Sequence, residues 1–231
     1  MSGNKTVLIL GGCGYVGGHL ASTLIMEHYN VVIYDLAIPE KKFCREDVVY
    51  IKGNILNKDL LMQVTAEYKP FLAIHLSSYG MSGAAMLSPD CDVINIQGVE
   101  HTIEACLQHN VQCLVYTSTY NTCFAGQEIV NQDETLPTAS LFDHTDCYGP
   151  SKTIAEDCVE RAHLAMHSGH NSLPDGRLHT YVLRPAAIYG EDEARHFPRI
   201  MQHMDSGKCV VCLSEQLALV FALLCSVSPV C

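Results

Sequence analysis

The chain has 231 residues, of which 48% are hydrophobic, and its 14 basic and 25 acidic residues give a formal net charge of −11. This length and apolar content suit one large domain with a buried core. The excess of acidic residues disfavours nucleic acid and anionic membrane surfaces as partners, because no basic run offsets it.

The N-terminal sequence MSGNKTVLILGGCG contains a short apolar run before its first glycine pair, too short for the core of a signal peptide. We therefore expect a cytoplasmic protein in which the 12 cysteines are reduced thiols. Cys209 and Cys212 form a C-x-x-C pair without a second ligand pair nearby, and the histidines show no ligand spacing. No metal site is predicted.

Short β-branched runs alternate with longer segments of helical periodicity along most of the chain. Strands are predicted at residues 6–10, 31–35, 48–52, 71–76, 112–118 and 179–184, and helices at 15–28, 58–68, 90–109 and 147–167. Several strands are apolar throughout, as expected of strands covered by helices on both faces. The sequence thus predicts an α/β fold with a doubly wound parallel sheet.

Two segments differ from this alternating pattern. Residues 119–145 form a long polar stretch without a clear period, which is typical of a loop that is either functional or disordered. From residue 206 the sequence becomes apolar and rich in cysteine, so we divide the chain into a main domain at 1–205 and a divergent tail at 206–231. The tail fits either a core strand and helix or a membrane-associating segment, although residues 216–230 are short for a span.

A glycine-rich turn follows the first predicted strand and opens the first predicted helix. Gly11, Gly14 and Gly17 supply the spacing of a dinucleotide site, and Asp35 ends the second strand. The glycines let the backbone approach a pyrophosphate, the helix N-terminus provides N–H groups, and the carboxylate accepts hydrogen bonds from ribose hydroxyls. No arginine directly follows Asp35 to receive a 2′-phosphate, so NAD is favoured over NADP.

Tyr148 and Lys152 stand four residues apart in YGPSK, a spacing that places both on one helix face. A tyrosine can exchange a proton with a substrate oxygen near neutral pH only if its pKa is lowered, and a nearby ammonium has that effect. Pro150 lies between them, which requires the helix to begin close by. The pattern occurs by chance often enough that its context must support it.

A hydroxyl that could bond the reacting oxygen is expected at the end of the fifth strand. The sequence YTSTYN offers Thr117, Ser118 and Thr119, and the residues alone leave the choice among them open.

Taken in order, these motifs resemble those of the extended short-chain dehydrogenase/reductase family. The matching segments are GGCGYVGG at 11–18, Asn54 with Ile55, HLSSYG at 75–80, Asn95 in VINIQG, YGPSK at 148–152 and RPAAIYG at 184–190. The resemblance covers about residues 5–205. Within that family, YTSTYN, FAGQEIVNQDETLP and LRPAAIYGEDEARHFPRI look most like the 3β-hydroxysteroid dehydrogenase/isomerase group, especially its family 42E branch.

This resemblance implies that NAD oxidises the 3β-hydroxyl of a sterol-like substrate, with Tyr148 as base and Lys152 also orienting the nicotinamide ribose. By position, the catalytic hydroxyl falls on Thr119, where serine is usual in the family. The implied catalytic residues are Tyr148, Lys152, Thr119 and Asn95. The implied cofactor-binding residues are Gly11, Gly14, Tyr15, Val16, Gly17, Asp35, Asn54, Ile55, Leu76, Tyr148, Lys152, Pro185 and Ile188.

The sequence departs from the family pattern in two ways, and one further family property bears on its assembly. Asn54 stands where aspartate is common, which weakens one adenine contact but keeps an acceptor oxygen. Family members are longer, and their C-terminal part builds much of the substrate pocket, so we expect a C-terminally truncated chain with an incomplete substrate lobe. Dimerisation through two long helices is common in the family, which implies a homodimer.

Three functions therefore remain open at the level of sequence. The chain is a working steroid-type dehydrogenase, or a truncated cofactor-binding form without catalytic competence, or a nucleotide-sugar epimerase or reductase of the same superfamily. Tyrosine, lysine and hydroxyl are shared among these enzymes, and a fold does not determine a substrate.

Overall fold

The structure is a computed structural model that describes residues 5–165 and 176–194, together with residues 198, 201, 202, 205, 228 and 229. Its strands are β1 (Thr6–Leu10), β2 (Asn30–Asp35), β3 (Val48–Lys52), β4 (Leu72–His75), β5 (Cys113–Thr117), β6 (His179–Leu183) and β7 (Ser228–Pro229). Its helices are α1 (Tyr15–Met26), α2 (Lys58–Tyr68), α3 (Asp90–Asp92), α4 (Gly98–Gln108) and α5 (Tyr148–Ala162).

The strands form one sheet in the order β3-β2-β1-β4-β5-β6-β7. The first six strands in this order run parallel, and β7 pairs antiparallel with β6. The order changes direction between β1 and β4, and ligands of such sheets bind outside the carboxyl ends of the strands at this point. The predicted doubly wound parallel fold is confirmed.

The predicted helices are present, with shorter ends and one interruption. The first ends at Met26, and His28 adopts a left-handed backbone with φ of 63°. The segment predicted as one helix at 90–109 contains a π-helical turn at Val93–Gln97, between α3 and α4. Helix α5 ends at Ala162, and residues 166 and 167 of the predicted helix lie outside the described part of the chain.

The core lies on both faces of the central strands, because successive side chains of a strand point to opposite faces. One face packs β1 and β2 against α2, with Leu8, Leu10, Val32, Tyr34, Leu61 and Val64 all buried. The other face packs the same strands against α1, with Val7, Ile9, Ala21, Val31 and Ile33 all buried. This double coverage explains why these strands are apolar throughout.

Two glycines of the turn between β1 and α1 are required by close packing. Gly11 has a φ of +82°, and a Cβ atom there would lie 2.7 Å from the backbone nitrogen of Ser77. A Cβ atom at Gly17 would lie 2.5 Å from the Cα atom of Gly12. The turn can therefore fold back on itself and against the end of β4 only with glycine at these positions.

The tail predicted at 206–231 lies outside the described residues except for Ser228 and Pro229, which pair with Val182 and Tyr181 of β6. The domain boundary at residue 205 remains a prediction, as does the nature of the tail. Over the parts of the chain that are described, no helix is both long and apolar enough to cross a membrane.

Adjacent glycines in α1 provide a matched test of this packing. We expect Gly17→Ala to lower the free energy of unfolding by roughly 1–3 kcal/mol, because its methyl group would overlap the Gly12 backbone. We expect Gly18→Ala to leave it unchanged or raise it by up to about 1 kcal/mol, because a Cβ atom there meets nothing within 4 Å and alanine favours helix. Urea unfolding followed by circular dichroism measures both, and equal stabilities of the two variants would contradict this account.

Candidate functional site

The candidate site lies where the carboxyl ends of the parallel strands meet. Backbone hydrogen bonds continue beyond the strands at this edge: Leu76 N donates to Leu10 O at 2.8 Å, and Ser118 N donates to Leu183 O at 2.7 Å. Tyr120 N also donates to Pro185 O at 3.1 Å. The segments that follow β1, β4, β5 and β6 are thereby held side by side.

The glycine turn and Asp35 form one end of the site. The Asp35 carboxylate accepts hydrogen bonds from the backbone N–H groups of Cys13 at 2.9 Å and Ala37 at 3.1 Å, which fixes it beside the turn. Gly14 is the N-cap of α1 and provides no side-chain cap, so the first N–H groups of the helix are available to an anion. A Cβ atom at Gly14 would meet only Gly11 O, at 3.5 Å. Packing within the protein therefore does not require glycine at this position.

The predicted adenine-side residues occupy different environments. Asn54 is exposed, and its side-chain oxygen accepts a hydrogen bond from Leu56 N at 2.9 Å. Ile55 is buried, and a Cβ atom at Gly98 of α4 would lie 2.9 Å from its Cγ2 atom. Leu76 is half-buried and packs against the cluster formed by β1, β2 and α1. The structure thus places Ile55 in the core beneath α4, and leaves Asn54 and Leu76 nearer the surface.

The segment after β6 passes over the start of α1. A Cβ atom at Gly190 would lie 2.7 Å from the Tyr15 hydroxyl, and the Nε2 atom of His19 lies 3.3 Å from the carbonyl oxygen of Glu191. Val16 and Pro185 are half-buried and Ile188 is exposed. The structure therefore brings the predicted residues of this segment to the same side as the glycine turn.

Tyr148 is the first residue of α5, and Pro150 falls in the first helical turn, as its position required. The Tyr148 side chain is buried. The preceding residue, Cys147, donates its N–H to Met86 O at 2.7 Å, and Asp146 accepts a hydrogen bond from Gly149 N at 2.7 Å. These bonds fix the start of the helix beside the segment that follows β4.

Lys152 is buried, with 1% of its surface exposed. Its Nζ atom donates a hydrogen bond to Thr117 O at 2.7 Å and lies 4.3 Å from the centre of the Tyr116 ring. Burial lowers the pKa of Lys152 to about 7, and the Glu156 carboxylate acts in the opposite direction. The ammonium is therefore held by β5, and a carboxylate one helical turn further along α5 favours its charged form electrostatically.

The structure separates the three candidate hydroxyls at the end of β5. Ser118 is buried and donates its hydroxyl proton to Glu156 Oε2 at 2.7 Å. Thr117 is half-buried, and its carbonyl oxygen accepts the hydrogen bond from Lys152 Nζ. The Thr119 hydroxyl accepts a hydrogen bond from Asn121 N at 3.3 Å, and its proton has no acceptor among the described residues. Which hydroxyl contacts a substrate remains a prediction, and Thr119 is the position that the family resemblance implies.

Asn95 lies in the π-helical turn and is buried. Its side-chain oxygen accepts from Tyr79 N at 2.8 Å, and its amide nitrogen donates to Tyr79 O and to the Ser151 hydroxyl, both at 2.9 Å. Ser151 in turn donates to Tyr148 O at 2.8 Å. The Asn95 side chain therefore connects the start of α5 to the segment after β4.

An ion pair between the buried Glu156 of α5 and the half-buried Arg184 was not predicted from the sequence. Arg184 donates its Nε proton to Glu156 Oε1 at 2.7 Å, donates from Nη2 to the same oxygen, and donates from Nη1 to Leu136 O at 2.9 Å. The only local signal was that Glu156 lies four residues beyond Lys152 on the same helix face. Arg184 lies in the segment RPAAIYG that resembles the family, but the sequence implied no role for it.

A histidine close to the site, His75, behaves as a core residue. His75 is fully buried with its Nδ1 atom 3.0 Å from the Thr102 hydroxyl, and burial lowers its pKa to about 3, with the Lys152 charge acting in the same direction. It is therefore neutral at physiological pH. Within the described ranges, no group of three or more His, Cys, Asp or Glu side chains could hold a metal ion.

The low pKa of Lys152 predicts how its burial affects stability with pH. Between about pH 7 and its usual pKa of 10.5, the unfolded chain holds a proton that the folded chain has lost. The unfolding free energy of the parent chain, relative to that of Lys152→Met, should therefore rise with pH in this window, by an amount on the order of a few kcal/mol. Below the window the difference should be flat. Chemical unfolding at a series of pH values measures this difference, and a difference that falls or stays constant above pH 7 would contradict the burial of a titrating lysine.

Solved structures with the same fold come from enzymes that bind NAD. One is the enzyme WbmG of Bordetella bronchiseptica in complex with NAD, with a TM-score of 0.72 and 19% identity over 94% of this chain and 68% of that structure. Another is UDP-glucose 4-epimerase of Thermus thermophilus in complex with NAD, with a TM-score of 0.68 and 22% identity over 83% of this chain and 58% of that structure. At these identities the likeness shows the fold alone.

Curated relatives match more closely in sequence. Short-chain dehydrogenase/reductase family 42E member 1 of Danio rerio is 38% identical over 206 residues, which are 88% of this chain and 51% of the relative. The sterol-4-alpha-carboxylate 3-dehydrogenase ERG26, decarboxylating, of Saccharomyces cerevisiae is 32% identical over 90% of this chain and 58% of the relative. The chain thus spans about half the length of the curated relatives it matches. Residues 8–221 match the family described as 3-beta hydroxysteroid dehydrogenase/isomerase, and the chain therefore belongs to that family.

Proposed function

We propose that this chain binds NAD and oxidises the 3β-hydroxyl of a sterol-like substrate by hydride transfer to NAD. The observation that carries the proposal is the meeting of two sets of residues at one edge of the sheet. The glycine turn and Asp35 lie at the ends of β1 and β2, and Tyr148, Lys152 and Thr119 lie where α5 meets the end of β5. A dehydrogenase needs a nucleotide site and a proton acceptor in this relation.

The residues at the nucleotide end fit NAD. The first N–H groups of α1 face the position of a pyrophosphate beyond Gly14, and Asp35 is held beside the turn to accept hydrogen bonds from ribose hydroxyls. A carboxylate has about four acceptor positions, so the bonds from Cys13 and Ala37 leave capacity for a ribose. Its negative charge opposes a 2′-phosphate, which favours NAD over NADP.

Each of the proposed catalytic residues would have a separate role in the oxidation of an alcohol to a ketone. When bound, NAD supplies the acceptor for the hydride that leaves the carbinol carbon. Tyr148 in its phenolate form would take the hydroxyl proton, and the Lys152 ammonium favours that form. The Thr119 hydroxyl would donate a hydrogen bond to the substrate oxygen and orient it. Asn95 would act through Ser151 by holding the start of α5.

The surface around the strand ends favours an apolar substrate over a nucleotide sugar. Exposed apolar side chains occur on the loops that follow β4, β5 and β6, namely Met81, Leu87, Tyr120, Phe124, Ile188 and Tyr189. Residues 76–89, 118–147 and 184–194 of these loops contain a single lysine or arginine, Arg184, which is paired with Glu156. The diphosphate of a nucleotide sugar commonly binds cationic side chains. A relative named as a sterol 3-dehydrogenase supports the same choice.

Tyr148→Phe tests the proposed base. We expect the variant to lose at least about 100-fold in the rate of NAD reduction with 3β-hydroxysteroids, because the proton acceptor is removed. Its affinity for NAD should change by less than about threefold, since the ring and its packing remain. Absorbance of reduced cofactor measures the first quantity and calorimetric titration with NAD the second. Retained turnover would remove Tyr148 from the mechanism.

The same paired assay on the parent chain separates the competing functions. NAD binding with sterol oxidation supports the proposal, and NAD binding without turnover of any alcohol identifies a cofactor-binding form that lacks catalysis. Turnover of nucleotide sugars in place of sterols would instead select an epimerase or reductase.

Thr119 provides a second test with a conservative control. Thr119→Val keeps the shape of the side chain but removes the hydroxyl, and we expect kcat to fall by roughly 10- to 1000-fold. Thr119→Ser keeps the hydroxyl and should retain most of the activity. Steady-state kinetics with a 3β-hydroxysteroid compare the two, and equal activity of the valine and serine variants would show that Thr119 does not contact the substrate oxygen.

A further inference from the structure

The ion pair between the buried Glu156 and the half-buried Arg184 lies next to Lys152. A contribution to the stability of the fold does not by itself explain why an ion pair occupies this position. Glu156 is 2% exposed, and both of its carboxylate oxygens are hydrogen-bonded, one to Ser118 and the other to Arg184. Apolar residues of similar volume are commonly as stabilising as a buried ion pair, because desolvation offsets much of the attraction. Two properties of the carboxylate at this position could not be supplied by an apolar side chain.

The first such property is its charge beside Lys152. The titratable groups around the Lys152 ammonium are Glu156 and Tyr148 on α5, Tyr116 on β5 and His75 on β4. Burial keeps His75 neutral, and burial also raises the pKa of Tyr116 well above its usual value, so that it stays protonated. Glu156 is thus the carboxylate that opposes the cost of burying the ammonium, and Arg184 neutralises it from the other side.

The second property is that the carboxylate joins separate segments of the chain through its hydrogen bonds. Ser118 directly precedes Thr119, and Arg184 directly precedes Pro185, whose carbonyl accepts Tyr120 N. The bonds from Ser118 and Arg184 to one carboxylate therefore hold the chain on both sides of Thr119 against α5. Arg184 also holds the long loop through Leu136 O.

We propose that Glu156 is a positioning residue of this site, whose carboxylate opposes the Lys152 ammonium electrostatically and fixes Thr119 relative to α5 through Ser118 and Arg184. The kinetic consequence rests on the proposed dehydrogenase function. The effect on the charge of Lys152 does not, so the two can fail separately.

The charge of Lys152 can be measured directly in the 231-residue chain labelled with ¹³C at the lysine Cε atoms. The signal of Lys152 is identified by its absence from Lys152→Met, and its midpoint in the parent is expected at about pH 7. Glu156→Gln should lower that midpoint by about one unit or more, because the opposing charge is lost. Glu156→Asp, which keeps the charge, should return the midpoint toward the parent value.

A matched control lies at the next position of the same helix. Asp157 is exposed and pairs with Arg161 at 2.8 Å, so Asp157→Asn removes the same charge without touching the buried network. Its Lys152 midpoint should equal that of the parent. If Glu156→Gln does not fold, Glu156→Gln with Arg184→Gln removes both charges of the ion pair and should also lower the midpoint. An unchanged midpoint in a folded variant lacking the Glu156 carboxylate would overturn the proposed role in charge.

Kinetics test the role in positioning. Ser118→Ala leaves the Glu156 charge in place, so we expect the Lys152 midpoint to stay constant while kcat with a 3β-hydroxysteroid falls about tenfold or more. Glu156→Gln should lower kcat and move the acidic limb of its pH profile upward, with partial rescue in Glu156→Asp. Parent-like kcat in folded Ser118→Ala and Glu156→Gln would overturn the positioning role. If the parent oxidises no alcohol, the proposed function fails, and the lysine titration still decides the role of Glu156.

Discussion

A buried ammonium requires partners, because removing an ion from water costs several kcal/mol even after the protein relaxes. Lys152 obtains them from the Thr117 carbonyl, the face of the Tyr116 ring and the Glu156 carboxylate. Two of these partners belong to β5 and one to α5, so the charge is tolerated only while the helix is packed on the strand. The arrangement of the proposed catalytic pair depends on this packing.

The same requirement extends the network to the edge of the sheet. A buried carboxylate also needs partners, and Glu156 finds them in Ser118 after β5 and Arg184 after β6. The Arg184 side chain is 23% exposed, and it also donates a hydrogen bond to Leu136 O in the long loop. Hydrogen bonds thus connect Glu156 on α5 through Arg184 to the backbone of the long loop at Leu136, which helps to hold this part of the loop in place.

Most of the architecture could be predicted from local patterns. The order of strands and helices followed from runs of β-branched residues and helical periodicity, and the glycine turn followed from its spacing after β1. The ends of helices were less predictable, as at Met26, because they depend on single backbone angles and capping contacts. The π-helical turn that holds Asn95 had no signal in a segment with continuous helical character. Ile55, matched by motif to the adenine side, proved to be buried beneath α4.

The sequence by itself determined the order of strands and helices, the glycine turn after β1 and the four-residue spacing of Tyr148 and Lys152, because each depends on residues close together in the chain. Only the tertiary structure decided the partners of neighbouring hydroxyls, since the Ser118 proton is donated to Glu156 and the Thr119 proton has no acceptor among the described residues. The ion pair between Glu156 and Arg184 joins residues 28 positions apart. Contacts at such separations arise when helices and strands pack together, and this packing has no signature in local spacing.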